Sequence, residues 1–448
     1  MKAAQHLLKT TITAVALGAG AVLSLAYAQS SAGLIATGDG TVAAPSTSNV
    51  VEIDKTPNWA KSMPAFRPLA IQAPEFTDWW KPYADGMDAQ YDKWLTFKKS
   101  ISDQFNLDLS LDYSFFAQWG TKGHPIYLNI YYPSATWRPF TDAAIGSGEI
   151  DVVTSHQDYA SKQDAVSHAA RLGLISFAND WPDDDFAIYT LAYTHTLPAG
   201  WSWLSVTVGQ YNLFSFDPNQ YAANAQNSFI SYSFAQDGTE TFPYAGFGGY
   251  GQVKTPDGQF SFAGGVQGGT DPNGGTLTAS GFRHRRLVRW GNAQWTPTID
   301  GLGNGIYSLL LYEQPSVPFV ASHSTGISFS ASQELTNRYG AFLRINNATG
   351  SDLAIRTSYA AGSVWNDPLV RNGNDQLGLA VGWDKTNREA LGSLAEVRSG
   401  EWVTEVFYRA NIFKGMHITT DVQAFWNPAL APSAGPVAVF TLRTTVSF

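Results

Sequence analysis

The chain contains no cysteine, and few of its 448 residues carry a charge. Without cysteine, an exported protein of this sequence has no disulfide frame and must hold its fold by hydrogen bonding and packing. Charged residues make up 15% of the chain and the net charge is −9, which argues against a nucleic-acid partner. Aromatic residues reach 14% and glycines number 41, a composition that favours β-structure over helices.

Long apolar runs are also scarce, and the sequence places one only at its N-terminus. Lys2 and Lys9 accompany an apolar stretch from residue 11 to 25, and Ala26-Tyr27-Ala28 follows as a small-residue cleavage site. This pattern predicts a cleaved export signal over residues 1–28 rather than a retained membrane anchor. No other stretch has about 18 consecutive apolar residues, so an exported chain of this kind is expected to be either soluble or a β-barrel.

Three further regions follow the export signal. Residues 29–73 include a stretch rich in Ser, Thr, Ala, Gly and Pro and show no periodic pattern, so we expect a poorly ordered linker. Residues 74–104 have the only helical spacing, with Met87, Tyr91 and Trp94 on one face, and predict a short periplasmic packing helix. We expect residues 105–448 to form a single β-domain.

The stretch FNLDLSLDYSFFAQW, Phe105–Trp119, alternates apolar and polar residues along nearly its whole length. Successive side chains of an extended chain point to opposite faces, so this stretch predicts a strand with one apolar and one polar face. The same alternation recurs to the end of the chain. It predicts sixteen strands that start near residues 105, 126, 148, 186, 202, 244, 259, 283, 305, 325, 338, 353, 375, 401, 415 and 436.

The connections between the predicted strands differ in length in a regular way. Short turns such as 198–200 and 255–258 follow even-numbered strands, whereas long connections such as 159–185 and 213–243 follow odd-numbered ones. Short turns at one end and long loops at the other are typical of an outer-membrane barrel. We therefore predict an all-β, antiparallel transmembrane barrel of sixteen strands in the bacterial outer membrane.

A soluble β-sandwich also alternates, so the direction of each face needs its own argument. The polar face repeatedly carries full charges, and aromatic residues tip the apolar face, as expected where water fills the inside and lipid surrounds the outside. The terminal Phe448 resembles a recognition signal for outer-membrane assembly machinery. In a soluble carbohydrate-degrading protein, Asp108 and Asp112 would be a candidate carboxylate pair, but four strand residues separate them by ~13 Å, beyond the usual catalytic distance.

Several polar and aromatic residues are expected to line the interior. The basic stretch FRHRRLVRW, residues 282–290, either faces the lumen or forms a charged rim, and the long connection 213–243 narrows the pore if it folds inward. The candidate lumen or constriction residues are Asp108, Asp112, Phe216, Asp217, Tyr221, Asn224, Arg283, Arg285, Arg289, Arg338, Arg344, Arg356, Glu405, Arg409, Asp421 and Gln423. The sequence has no common catalytic or cysteine metal-site motif, so we expect neither an enzyme nor a cofactor.

Four segments of the chain resemble the carbohydrate-selective porin (OprB) family. They are GQYNLFSFDPNQYAANAQNSFI (209–230), YSLLLYEQ (307–314), DQLGLAVGW (375–383) and EVFYRANIFKGMHITTDVQAFWNPA (405–429). The resemblance implies a sixteen-stranded outer-membrane channel that passes sugars by diffusion. The resemblance also identifies a charged cluster formed by Glu405, Arg409, Asp421 and Gln423. This cluster either braces the wall or forms part of the solute path.

These observations lead to one expected function and two alternatives. We expect passive diffusion of sugars or polyols through a polar-lined barrel in contact with membrane lipid and lipopolysaccharide. An export channel for a polysaccharide is the first alternative and would have a wider bore with a continuous track of one charge sign. A secreted soluble carbohydrate-binding or carbohydrate-degrading β-protein is the second.

Overall fold

A computed structural model describes residues 81–181, 185–271, 274–318, 321–371, 373–391 and 396–448. The predicted export signal (1–28) and linker (29–73) lie outside the described residues. Within the described part of the chain, no helix combines the length and the apolar character needed to span a bilayer.

Sixteen long strands form one antiparallel sheet that closes on itself. They are β1 (Leu107–Gly120), β2 (Ile126–Asp142), β3 (Gly146–Tyr159), β4 (Asp185–Thr196), β5 (Leu204–Tyr211), β6 (Gly246–Lys254), β7 (Phe260–Gly268), β8 (Leu287–Trp295), β9 (Gly303–Gln314), β10 (Ser324–Glu334), β11 (Tyr339–Thr349), β12 (Ile355–Asn366), β13 (Gln376–Thr386), β14 (Gly400–Phe413), β15 (Met416–Trp426) and β16 (Val437–Ser447). Each strand pairs with the next, and β1 pairs with β16 from Asp112↔Ser447 to Gly120↔Val439. The predicted sixteen-stranded barrel is confirmed, and a two-residue strand, Thr298–Ile299, lies in the turn between β8 and β9.

The apolar face of the barrel points outward, as the alternation predicted. On β16, Phe440 and Leu442 are among the exposed large apolar residues, whereas the intervening Thr441 is buried. On β1, the polar Ser114 and Gln118 are almost completely buried while Trp119 is exposed. Polar side chains are therefore enclosed and apolar ones surround the wall, the opposite of a soluble β-sandwich.

Within the described residues, helices precede β1 or lie in the long connections between strands. The longest, α1 (Lys81–Phe105), leads directly into β1, while α2 (Ala165–Leu172) lies in the connection between β3 and β4. The described residues also form one-turn helices: a 3₁₀ helix at Leu213–Phe216, α3 (Tyr232–Ala235), α4 (Ser280–Arg283) and α5 (Arg388–Leu391). The predicted helical segment was 74–104, and the described helix ends one residue later, at Phe105. A periplasmic location for this helix stays a prediction.

Helix α1 lies against the short-turn end of the barrel through polar contacts. Lys414 lies in the β14–β15 turn. Its backbone N–H donates to Asp88 Oδ1 at 2.6 Å, and its side-chain Nζ pairs with Asp92 at 2.8 Å. Lys98 Nζ donates to the Phe448 carbonyl oxygen at 2.8 Å. Burial lowers the pKa of Lys98, and the nearby Asp112 and Asp108 carboxylates act in the opposite direction. The helix thus contacts the β14–β15 turn and the last residue of the chain.

Candidate functional site

The connection 212–245 between β5 and β6, here called the inner loop, folds into the barrel and packs against the wall. Its Phe229 and Phe234 are completely buried. The Phe229 ring lies 5.3 Å from Phe342 on β11 and 4.8 Å from Phe407 on β14, measured between ring centroids. Aromatic pairs at this separation pack favourably in addition to burying area. The loop therefore occupies part of the interior, as predicted if it folded inward.

Polar groups of β8 to β11 bind the first half of the inner loop. Arg344 forms an ion pair with Asp217, and both side chains are almost completely buried. Asn219 Nδ2 donates to Ser330 Oγ at 3.1 Å, and the Ser330 hydroxyl donates to the Pro218 carbonyl at 2.9 Å. A buried charge is tolerated when it is paired and hydrogen-bonded, so Arg344 and Asp217 hold each other in place.

The cluster carried over by the resemblance binds the second half of the inner loop. Glu405 accepts hydrogen bonds from the backbone N–H groups of Ile230, at 2.7 Å, and Ser231, at 2.9 Å. Arg409 Nη1 donates to the Asn227 carbonyl at 2.8 Å. Glu405 also accepts from Gln423 Nε2 at 3.2 Å. These side chains reach from the wall to the loop backbone, which is the geometry of a clamp.

Two further wall residues complete this clamp. Arg443 on β16 donates to the carbonyl oxygens of Ala225 and, at 2.8 Å, Ser228. Asp421 lies on β15 beside Glu405 of β14, two residues before Gln423 on the same polar face. Arg443 shares the polar face of β16 with Thr441 and Thr445, and that alternation was the signal that could have added it to the candidate set.

A second loop, residues 160–181, enters the barrel and supports the first. Gln118 Nε2 and Gln423 Nε2 both donate to the Ala178 carbonyl, at 3.1 and 2.9 Å. The Tyr232 backbone N–H of the inner loop donates to the Phe177 carbonyl at 3.2 Å. The two loops are thus joined to each other as well as to the wall.

The inner wall of β1 to β3 carries charged groups that keep part of their surface exposed. Arg138 on β2 donates to Asp108 on β1 at 2.5 Å and to Glu149 on β3 at 2.8 Å, and its side chain is 33% exposed. Thr136 donates to Asp151 at 2.7 Å. We call Asp108, Arg138, Glu149 and Asp151 the acidic inner wall, since three carboxylates surround one cation.

Aromatic rings lie on neighbouring inward faces. The rings of Tyr132 on β2 and Tyr189 on β4 stack with centroids 5.7 Å apart. Tyr250 on β6 lies 5.1 Å from Phe216 of the inner loop. Sequence reasoning included Asp108 and Asp112 but missed Arg138, although Arg138 continues the alternation of Ser134 and Thr136 along β2. Tyrosine faces beside charged groups offer both stacking surfaces and hydrogen-bonding partners.

The remaining predicted residues of the inner loop and the rims are placed as follows. Phe216, Asp217 and Tyr221 are buried within the inner loop, whereas Asn224 is exposed and caps a local turn through the Gln226 N–H. Arg338 lies in the short turn before β11. Arg356 lies near the loop end of β12 and pairs with Glu389 of α5 at 3.6 Å. The structure does not bring these two arginines to the acidic inner wall.

The basic stretch departs from the prediction of a lumen-facing group. The strand begins at Leu287, not near residue 283, because α4 precedes it and Arg285 adopts a left-handed backbone with φ 56°. Arg283 and Arg285 therefore lie outside the strand, where alternation does not apply. Arg289 does lie on β8, but Trp290 is its inward neighbour, so Arg289 points outward and meets Glu313 at 3.3 Å. The charged-rim alternative describes this stretch.

A closed barrel with an apolar outside, an enclosed polar face and two loops folded inward defines a porin-type channel of the bacterial outer membrane. The family model for the carbohydrate-selective porin, OprB family, matches residues 147–448, and the chain belongs to this family.

Curated relatives and a solved structure agree with this assignment. The chain is 29% identical to Porin AaxA of Chlamydia pneumoniae over 376 residues, which cover 82% of this chain and 84% of the relative. It is 28% identical to Porin AaxA of Chlamydia felis, covering 80% and 83% of the two chains. The high-pH structure of Pseudomonas putida OprB superposes with a TM-score of 0.67 at 14% identity, covering 79% of this chain and 97% of that one, and shows the shared fold.

Proposed function

We propose that the protein lets sugars or polyols diffuse passively across the outer membrane, along the acidic inner wall and its neighbouring tyrosines. The observation that carries this proposal is the pairing of Arg138 with Asp108 and Glu149 on an inward face that stays partly exposed. Carboxylates accept hydrogen bonds from hydroxyl groups, and the guanidinium donates them in a fixed geometry. A solute rich in hydroxyls thus finds partners of both kinds at one place.

The tyrosines supply the second part of this recognition. The stacked pair Tyr132–Tyr189 and the nearby Tyr250 present ring faces and hydroxyls on the same side of the barrel as the acidic inner wall. The apolar CH face of a sugar ring packs on such surfaces, while its hydroxyls bond to polar groups. Family membership as a carbohydrate-selective porin supports the same solute class.

The alternative of a polysaccharide exporter fits less well. A polymer needs a wide bore, whereas the inner loop and the second loop both occupy the interior and are held there by buried hydrogen bonds. The charged groups on the inner wall are also mixed in sign. A passage of this kind favours small solutes.

Single-channel recording of the purified protein in planar bilayers tests the proposal. We expect an ohmic conductance that falls when sugars are added, because a bound sugar displaces ions from the path. Liposome swelling with sugars of increasing size should show rapid entry of monosaccharides and slow entry of oligosaccharides. A correctly inserted barrel without conductance would refute the channel, and rapid entry of long oligosaccharides would favour the exporter.

A further inference from the structure

The basic stretch of the sequence, which the solute path does not use, forms a charged patch at the loop end of the barrel. Its members are Arg283, His284, Arg285, Arg286 and Arg289, here called the basic patch. All of them except Arg286 are exposed, and the Arg289 side chain is 72% exposed. Four arginines within seven residues are unusual in a chain with only 15% charged residues.

The basic patch stands on the outer side of the wall rather than over the lumen. Arg289 alternates with the inward-facing Trp290, so its side chain lies on the lipid-facing side of β8. Phe282 of α4 packs against Phe247 on β6, with ring centroids 6.2 Å apart. On β6, Tyr250 and the other even-numbered residues face inward, so the odd-numbered Phe247 faces outward. Phe282, which packs on Phe247, therefore also lies on the outer side. Both ends of the patch are thus anchored to the outer surface.

Among the described residues, the basic patch forms one ion pair. Glu313 meets Arg289 and also His323. Arg286 uses Nη1 to hold the Ser316 carbonyl at 2.6 Å. Arg283 and Arg285 form no ion pair with the described residues, so the patch stays positively charged at neutral pH.

An apolar residue lies below this charge, toward the short-turn end. Leu311 is 49% exposed on the same outer side as Arg289 and pairs with Gly291, two residues further along β8. In porin barrels the long-loop end faces the outer leaflet of the outer membrane. The surface therefore presents arginines at the height of lipid headgroups and apolar side chains at the height of acyl chains.

We propose that the basic patch binds the phosphate groups of a phosphorylated glycolipid of the outer leaflet, the lipid A part of lipopolysaccharide. The planar guanidinium matches phosphate oxygens in a bidentate geometry, and phosphate–arginine bonds are charge-assisted. Leu311 contacts the acyl chains of the same lipid. The site lies on the outer wall, separate from the acidic inner wall.

Native mass spectrometry of the detergent-purified protein, titrated with bisphosphorylated lipid A, tests this site. In the triple variant Arg283→Ala, Arg285→Ala, Arg289→Ala we expect binding to weaken roughly 100-fold, because each arginine beside an anionic lipid contributes about a factor of five. The same three positions changed to Lys should lose less, because lysine keeps the charge but not the bidentate geometry.

Two controls make the result decisive. The triple variant Arg356→Ala, Lys385→Ala, Arg388→Ala removes three cations from the loop end of another sector and should leave binding unchanged. Dephosphorylated lipid A should bind the wild type weakly. Equal binding by the Arg283/Arg285/Arg289 variant, equal loss in the control variant, or equal affinity for dephosphorylated lipid A would each overturn the proposal.

The same variants separate this site from the proposed channel function. The Arg283/Arg285/Arg289 variant changes only exposed residues outside the lumen, so its heat-dependent mobility shift and its single-channel conductance should match the wild type. Loss of lipid binding with normal conductance supports the lipid site. If conductance is absent from both proteins while lipid binding persists, the channel proposal fails and the lipid site stands.

Discussion

Removing the positive charge of Arg138 should make the channel more selective for cations. Arg138 is the cation of the acidic inner wall, within 2.5 Å of Asp108 and 2.8 Å of Glu149, with Asp151 on the same face. Arg138→Gln changes the local charge from about −2 to −3. One unit charge about 4 Å from a passing ion changes its energy by ~1 kcal/mol in water, which corresponds to about a fivefold change in local cation concentration. Because these side chains are about one-third exposed, the dielectric of water is the appropriate choice.

Reversal potentials in a potassium chloride gradient measure this effect. We expect the cation-to-anion permeability ratio of Arg138→Gln to rise by up to about 25-fold in dilute salt, because the local cation concentration rises about fivefold while that of anions falls by the same factor. The rise should fade near 1 M salt, where the screening length is only about 3 Å. Arg289→Gln is the matched control, since it also removes an arginine paired with a glutamate, but on the outer face. An unchanged ratio in Arg138→Gln, or an equal change in Arg289→Gln, would refute the placement of the solute path.

Three further predictions concern the inner loop. Glu405→Gln removes an acceptor for the Ile230 and Ser231 N–H groups and should weaken the clamp by ~1–3 kcal/mol, seen as frequent conductance steps that Glu313→Gln on the outer wall does not produce. Arg344→Met leaves the Asp217 carboxylate buried without its partner, so the temperature of heat-dependent unfolding on gels should fall, by the equivalent of ~3–5 kcal/mol, and Asp217→Asn in the same chain should restore part of the loss. Burial and the charge of Asp217 raise the pKa of Asp237 to about 7. The protonated Asp237 side chain therefore stabilises the docked inner loop fully below its ordinary pKa, and this contribution is lost as the pH rises through about 7. Current noise should therefore increase between about pH 4 and 7 in the wild type, and a flat profile there, or an equal increase in Asp237→Asn, would contradict this assignment.

The barrel was predictable from the sequence because its signal is local. Each strand shows its two faces within about ten residues, as where the polar Thr441 lies between the apolar Phe440 and Leu442. No distant contact is needed to recognise this alternation. The strand number followed from repeating that reading sixteen times, whereas the inversion of the faces followed from the charges on the polar face and the aromatic residues on the apolar face. Bulges are the exception, because an irregularity such as that between Val153 and Thr154 changes the alternation without a local signal.

The site was less predictable because tertiary packing decides it. Phe216 and Tyr221 of the inner loop were candidate lining residues, yet both are buried within the loop, and Phe229 packs against the wall. The arginines near residue 283 shared a parity, but parity has meaning only on a strand, and β8 begins at Leu287. Which wall residues face the loops and which stay exposed depends on where the two loops lie, and composition does not specify this.

The contacts of helix α1 have a consequence for the order of folding. Lys98 meets the carbonyl of Phe448 across 350 positions of the chain, and Lys414 meets Asp92 across 322. Contacts between such distant positions form late, because a very long stretch of chain must first be brought together. The first helix therefore has no complete docking surface until the last strand has joined the first. Its attachment would report that the barrel has closed, and a spectroscopic label on the helix would time that step.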